Sequence, residues 1–113
     1  MDRQLEVDQH NLVSAWQERL PALMEDGDSF NVLADEGDPN SLLIHFNAAG
    51  RQGYSLDFRC RYVDSREVAV DLLDVEQSGI HIDEHNDAVQ LLAQQYSRQI
   101  HECAQALQSI TNP

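Results

Sequence analysis

An apolar stripe with helical spacing runs through the last quarter of the chain and constrains the fold more than any other feature. Its members are Val89, Leu92, Tyr96, Ile100, Cys103, Leu107 and Ile110. Spacings of three and four residues put these side chains on one side of an α-helix. The pattern predicts a long amphipathic helix that needs an apolar surface to pack against. Asp83 or Asn86 is a suitable N-cap for it.

A second stripe near the N-terminus predicts a shorter helix. It consists of Leu12, Val13, Trp16, Leu20 and Leu23. Pro21 cannot donate a backbone hydrogen bond inside that helix, so we expect a kink or a restart near Leu20. We expect Trp16, Tyr96 and Cys103 to be buried between the helices and the rest of the domain.

Four short apolar runs lie between the two predicted helices. They cover Ser29 to Ala34, Ser41 to Asn47, Tyr54 to Val63 and Glu67 to Val75. The separators are short and rich in Gly, Pro, Asn and Asp, which favours hairpins between antiparallel strands. In the fourth run the alternation changes phase near Leu72 and Leu73, which indicates either a β-bulge or burial of both faces.

These elements predict a single α+β domain over residues 1–113. Its expected architecture is a four-stranded antiparallel meander with the N- and C-terminal helices packed on one face, in the order α-β-β-β-β-α. Tyr54, Leu56, Phe58, Cys60 and Tyr62 alternate with polar residues and should face the helices. The opposite side of the sheet, called the open face below, should then carry the polar residues.

Arg59 and Arg61 are the most unusual residues predicted on the open face, because the chain has a formal charge of -13 and only seven basic side chains. Cross-strand pairing with Asp71, or with His45 and Asn47, is one explanation. The alternative is a small basic island that binds a carboxylate or phosphate through guanidinium groups. Both explanations stay open at this point.

Six carboxylates lie between positions 25 and 38 with no basic residue among them: Glu25, Asp26, Asp28, Asp35, Glu36 and Asp38. They do not follow the ligand spacing of an EF-hand loop. One interpretation is a solvated acidic rim. The other is a landing surface for a basic partner, in which Asp35, Glu36 and Asp38 act together with Arg59 and Arg61.

A second polar cluster contains His81, Asp83, Glu84, His85 and Asp87. Imidazole and carboxylate groups are ligands for zinc and related ions, so His81, His85 and Asp87 form a candidate metal site. The competing interpretation is a polar, well-capped helix start, and we expect no resident cofactor.

Composition narrows the function classes further. The chain has seven arginines, no lysine and twenty carboxylates, so its surface should repel nucleic-acid phosphate and anionic lipid. We expect no direct nucleic-acid or membrane binding. The only cysteines, Cys60 and Cys103, fall on apolar stripes and should be buried thiols, which together with the missing signal-peptide pattern favours the cytoplasm.

No catalytic motif appears in the sequence, neither a nucleophile elbow nor a glycine-rich phosphate loop. The leading hypothesis is therefore a non-enzymatic interaction module: an adaptor, a small chaperone, an inhibitor or a mimic of nucleic-acid charge. Its partner would be a protein with a basic surface, and the sequence leaves a homodimer open. The alternative is a small ligand- or metal-binding domain that uses Arg59, Arg61 and His45, or His81 and His85.

Overall fold

The computed structural model, which describes residues 5, 7–24, 28–48, 53–83 and 85–111, contains an antiparallel sheet. One amphipathic helix precedes the sheet in the chain and another follows it. The elements are α1 (Gln9–Arg19), a 3-10 helix (Leu20–Leu23), β1 (Ser29–Ala34), β2 (Ser41–Asn47), β3 (Tyr54–Tyr62), β4 (Val68–Gln77), β5 (Ile80–His81), α2 (Asp87–Ala106) and α3 (Gln108–Thr111). The strands lie in the sheet in chain order, and every neighbouring pair is antiparallel. The mixed α+β class with terminal helices is as predicted.

The predicted number of strands is wrong, because the sheet has five strands rather than four. The chain turns at Ser78 and Gly79, which both have positive φ angles (54° and 83°), and β5 then pairs with the end of β4. Positive φ at both central residues is the geometry of a tight hairpin turn. The strand that follows is only two residues long, too short for a visible alternation in the sequence.

The change of phase in β4 is a β-bulge. Asp57 lies opposite Asp74 and Phe58 lies opposite Leu72, so Leu73 is an extra residue without a partner in β3. The bulge turns the Leu73 side chain outward and lets Leu72 and Val75 both face the helices. Of the two explanations drawn from the sequence, the bulge is confirmed.

The hydrophobic core lies between the helices and one face of the sheet. The inward residues of β3 are all buried, and Trp16, Tyr96 and Cys103 are completely buried, as predicted. Tyr96 stacks on Phe46 with ring centroids 4.3 Å apart, and Trp16 Nε1 donates a hydrogen bond of 3.2 Å to Tyr62. These contacts attach both helices to the same face of the sheet.

Helix ends follow the local sequence rules. The α-helical part of the N-terminal segment ends at Arg19, and Pro21 lies in the 3-10 helix that follows, where we expected a kink. At the start of α2, Asn86 is the N-cap, and its side chain accepts a hydrogen bond from the Ala88 amide. Of the two predicted N-cap candidates, Asp83 and Asn86, Asn86 is the one that caps α2.

Candidate functional site

Strand alternation leaves the open face of the sheet free of both helices. Three rows of side chains cross it in register. The first row is Leu33, Leu43, Arg59 and Asp71; the second is Asn31, His45, Asp57 and Asp74; the third is Ser29, Asn47, Ser55, Glu76 and His81. Arg61 also lies on this face, in register with Ser41 and Ala69. The described residues of the open face thus combine Leu33 and Leu43 with two arginines and four carboxylates.

Arg59 forms its ion pair with Asp35, not with the cross-strand neighbour Asp71. The distance from Arg59 Nε to Asp35 Oδ2 is 3.6 Å, and the Asp35 side chain is 18% exposed. Asp71 does lie opposite Arg59 in register, as expected. The ion pair expected between these two residues is replaced by the pair between Arg59 and Asp35. The long arginine side chain reaches across β2 to the start of the turn between β1 and β2.

His45 also differs from the expectation that it meets Arg59 or Arg61. Its Nδ1 atom lies 2.5 Å from Asp57 Oδ1, directly across the β2–β3 pair, and its Nε2 atom lies 3.3 Å from Asn47 Oδ1. The physical reason is register, because residues that face each other in an antiparallel pair come closer than diagonal ones.

The turn between β1 and β2, residues 35–40, is organised by its own carboxylates. Asp35 Oδ1 accepts a hydrogen bond from the Gly37 amide at 2.9 Å. Asp38 accepts from the Asn40 amide at 2.9 Å and from the Ser41 hydroxyl at 2.8 Å. The backbone amide of Asn40 is the main cause that lowers the pKa of Asp38, followed by the Ser41 hydroxyl, with Arg61 and Arg59 adding to the effect.

The turn therefore brings together four of the five residues that the sequence suggested as a partner-binding site. Asp35, Asp38, Arg59 and Arg61 are close enough to interact electrostatically. Glu36, the fifth, is exposed at the tip of the turn. Glu25 and Asp26, which belong to the same acidic stretch of sequence, lie outside the described residues, as does Arg51.

The residue of α1 that contacts this turn was not predicted from the sequence. Gln9 Nε2, at the start of α1, lies within 3.0 Å of the carbonyl oxygens of Asp35, Asp38 and Ser41. An amide donor in reach of three carbonyls gives the turn a fixed shape, which in turn positions Asp35 beside Arg59. A glutamine on a helix has no signal in the sequence that would identify such a role.

A second arrangement on the open face was also not predicted. His81 Nδ1 lies 2.6 Å from Asp74 Oδ1, on the strand pair next to the His45–Asp57 contact. Asp57 and Asp74 are opposite each other in register. Two imidazole–carboxylate pairs therefore lie end to end across β2, β3, β4 and β5. The β5 strand, which the sequence did not reveal, places His81 opposite Glu76 in the third row, and from there its imidazole reaches diagonally to Asp74 in the second row.

The candidate metal cluster is divided in the structure. His81 contacts Asp74 in the sheet, whereas His85 Nδ1 lies 2.9 Å from Asp83 Oδ1 in the loop before α2. The backbone amide of His85 is the main cause that lowers the pKa of Asp83. Asp87 lies in the first turn of α2, and Glu84 lies outside the described residues. No group of three or more potential ligands that could hold a metal ion occurs among the described residues.

The two cysteines lie in the core. Burial raises the pKa of the Cys103 thiol to about 12, and burial also raises the pKa of the Cys60 thiol. Both thiols are free. A thiolate is the reactive form of cysteine, so these two side chains act as small apolar core residues.

A groove lies on the helix side of the sheet, opposite the open face, between α2 and β4. It has a volume of about 570 Å³, with Phe58, Val70 and Leu72 among its apolar lining residues. Residues of α2, including Gln94 and Arg98, form its other wall. A second depression of about 370 Å³ continues it toward Arg66 and Gln108.

The chain was compared with models of protein families, with curated proteins and with solved structures, and none of them matches. No described helix is both long enough and apolar enough to span a membrane.

Proposed function

We propose that this protein is a non-enzymatic interaction module that binds a basic protein surface through the open face of its sheet and the turn between β1 and β2. The observation that carries the proposal is the composition of that surface. Leu33 and Leu43 lie side by side in register, and Arg59 follows Leu43 on the next strand. Leu33 is 54% exposed. Arginine beside apolar side chains is a frequent anchor in protein interfaces.

Charge supports a basic partner. Among the described residues, the open face and the turn carry seven carboxylates and two guanidinium groups, which together have a formal charge of -5. The carboxylates in this count are Asp35, Glu36, Asp38, Asp57, Asp71, Asp74 and Glu76. A surface of this sign attracts a basic partner and speeds its association, especially at low ionic strength. An adaptor, a small chaperone, an inhibitor or a nucleic-acid mimic would all use such a surface.

The proposal includes a cytoplasmic location. Free, buried thiols such as Cys60 and Cys103 are typical of proteins from reducing compartments.

The proposal is tested by capture of partners from an extract of the cells that make the protein, at low and high salt. The variant Leu33→Ser/Arg59→Gln changes the open face. A matched control, Ile110→Ser/Arg19→Gln, makes the same changes on the helix side, where Ile110 is 46% exposed. We expect the wild type and the control to capture the same basic protein, and the open-face variant to lose it. Equal capture by all three proteins would overturn the proposal.

A thermal melt tests the rival function of a ligand- or metal-binding domain. Any ligand that binds only the native state raises the melting temperature. We expect divalent metal ions and small anionic metabolites to leave the melting temperature unchanged. A rise that Arg59→Gln/Arg61→Gln abolishes would instead assign a ligand-binding function to the open face.

A further inference from the structure

The edge of β4 is free over part of its length. β3 pairs with β4 from Val68 to Gln77, whereas β5 pairs only with Glu76 and Gln77. Among the residues that the structure describes, no strand lies beside the edge from Val68 to Leu72. Exposed strand edges of this kind are templates for pairing with another chain.

The pairing pattern shows which backbone groups this edge presents. The Tyr62 amide donates a hydrogen bond of 2.8 Å to Asn40, on the side away from β4. Tyr62 and its β4 neighbour Val68 therefore form a non-hydrogen-bonded pair. Since such pairs alternate along an antiparallel ladder, Val68, Val70 and Leu72 direct their N–H and C=O groups toward the free edge.

Val70 and Leu72 line the groove, and Val68 lines the depression that continues it. Their side chains face the helix side of the sheet and are only half-buried, whereas Leu56 and Cys60 on β3 are completely buried. Helix α2 packs against β4 but leaves these three side chains only partly covered. A strand added beside β4 would place every second side chain in the groove, opposite Val68, Val70 and Leu72.

The charge on β4 indicates what the remaining side chains of such a strand should be. β4 carries Asp71, Asp74 and Glu76 on the open face and no basic residue. Asp71 is exposed and lies within the free part of the edge. A basic side chain opposite Asp71 would form a cross-strand pair of opposite charge, which stabilises a sheet.

We propose that the β4 edge from Val68 to Leu72 binds an extended segment of a partner protein, in which apolar side chains that enter the groove alternate with basic side chains that face Asp71. The segment extends the sheet by main-chain hydrogen bonds. The bulge at Leu73 ends the regular edge and limits the added strand to a short stretch.

A second copy of the chain fits this edge poorly. Pairing β4 with β4 of another copy would bring six carboxylates to one seam with no basic residue from either strand. Each copy also has a formal charge of -13. A basic heterologous segment offsets the charge that a second copy would double.

The inference rests on the proposed function, because it specifies the partner of the same interaction module. The two can fail separately. If the Leu33→Ser/Arg59→Gln variant no longer captures the partner and no strand binds at β4, the proposed function holds and this inference fails. If a strand binds at β4 and the open-face variant still captures the partner normally, the proposal for the open face fails instead.

The probe is a capped heptapeptide in which Val and Arg alternate, and the readout is amide hydrogen exchange of the full chain. With the peptide at ten times its Kd, the amides of Val68, Val70 and Leu72 should exchange about tenfold more slowly, since only free protein exchanges. A peptide with the same residues in two blocks, and one that alternates Val and Glu, should protect these amides much less. Equal protection by the block peptide, or none by the alternating one, would overturn the inference.

Two variants complete the test. Asp71→Arg should weaken binding of the Val–Arg peptide by up to about fivefold, the worth of one cross-strand pair, and improve binding of the Val–Glu peptide. Val70→Pro removes an amide that points to the free edge and should abolish protection. If Val70→Pro does not fold, Asp71→Arg alone decides. A dimer that protects the same amides without peptide would also overturn the inference.

Discussion

The two long edges of the sheet differ in how they are closed. At the β1 edge, Gln17 Nε2 of α1 donates a hydrogen bond of 3.1 Å to the Val32 carbonyl, and Tyr96 of α2 donates one of 3.1 Å to Asp28 just before β1. At the β4 edge, α2 lies above a groove, and no strand among the described residues pairs with the outer side of β4 from Val68 to Leu72. The same helical layer therefore closes one edge and leaves the other available, which favours a role for β4 in binding.

The largest difference in the free energy of unfolding should appear between core substitutions near the β1 edge and near the β4 edge. Trp16→Ala should lower the free energy of unfolding by about 3–5 kcal/mol, because Trp16 is completely buried and attaches α1 to the sheet. Val70→Ala, under the open groove, should cost only about 1 kcal/mol. Chemical denaturation followed by circular dichroism measures both. Equal costs would mean that the β4 side is as tightly packed as the β1 side.

A smaller difference in the free energy of unfolding should separate the helix contacts at the β1 edge from those at the β4 edge. Gln17→Ala should lower the free energy of unfolding by about 0.5–1 kcal/mol in the same denaturation measurement, because the Val32 carbonyl loses its hydrogen bond from Gln17. The matched change Gln94→Ala, in the groove wall on α2, should leave the free energy of unfolding nearly unchanged. If Gln94→Ala destabilises as much as Gln17→Ala, the wall of the groove has a structural role that we have not assigned.

Replacing the two open-face arginines should cost less still. Arg59→Gln/Arg61→Gln should reduce the free energy of unfolding by less than about 1 kcal/mol, since the Arg59 side chain is 44% exposed and its contact with Asp35 is long. The cost should shrink further in moderate salt. Unfolding of this variant would contradict the exposed position of both guanidinium groups. Partner capture, in contrast, should fall sharply if the open face is the interface.

Acid should act on the turn next to the β1 edge. The pKa of Asp38 is lowered in the folded state, so its ionised form stabilises the fold above its unfolded pKa near 3.8, and this contribution is lost as pH falls through the lower folded value. Ser41→Ala removes one of the hydrogen-bond donors and should move the pKa of Asp38 back toward its ordinary value. An NMR titration of the Asp38 carboxyl carbon measures this shift. An unchanged titration would show that the hydroxyl is not a significant donor.

Much of the architecture followed from local patterns. β1 and β2 begin and end where the apolar runs do, and the bulge at Leu73 and the N-cap at Asn86 were both among the predicted alternatives. The position of Arg59 on the open face followed from alternation alone. Its partner did not, because an arginine side chain reaches several neighbours, and the turn that carries Asp35 is placed by Gln9 from a distant helix.

The sequence by itself determined the two main helices, the four longer strands and most of the side chains that face the core, because the periods of 3.6 and 2 are local properties of the chain. It did not show that α2 ends at Ala106 and that a separate short helix, α3, leaves Ile110 exposed. Only the tertiary structure decided which charged groups meet. The two imidazole–carboxylate pairs, His45 with Asp57 and His81 with Asp74, depend on the register of four strands, including the short β5. The free β4 edge depends on where α2 packs, and helix position results from the shape of the whole core.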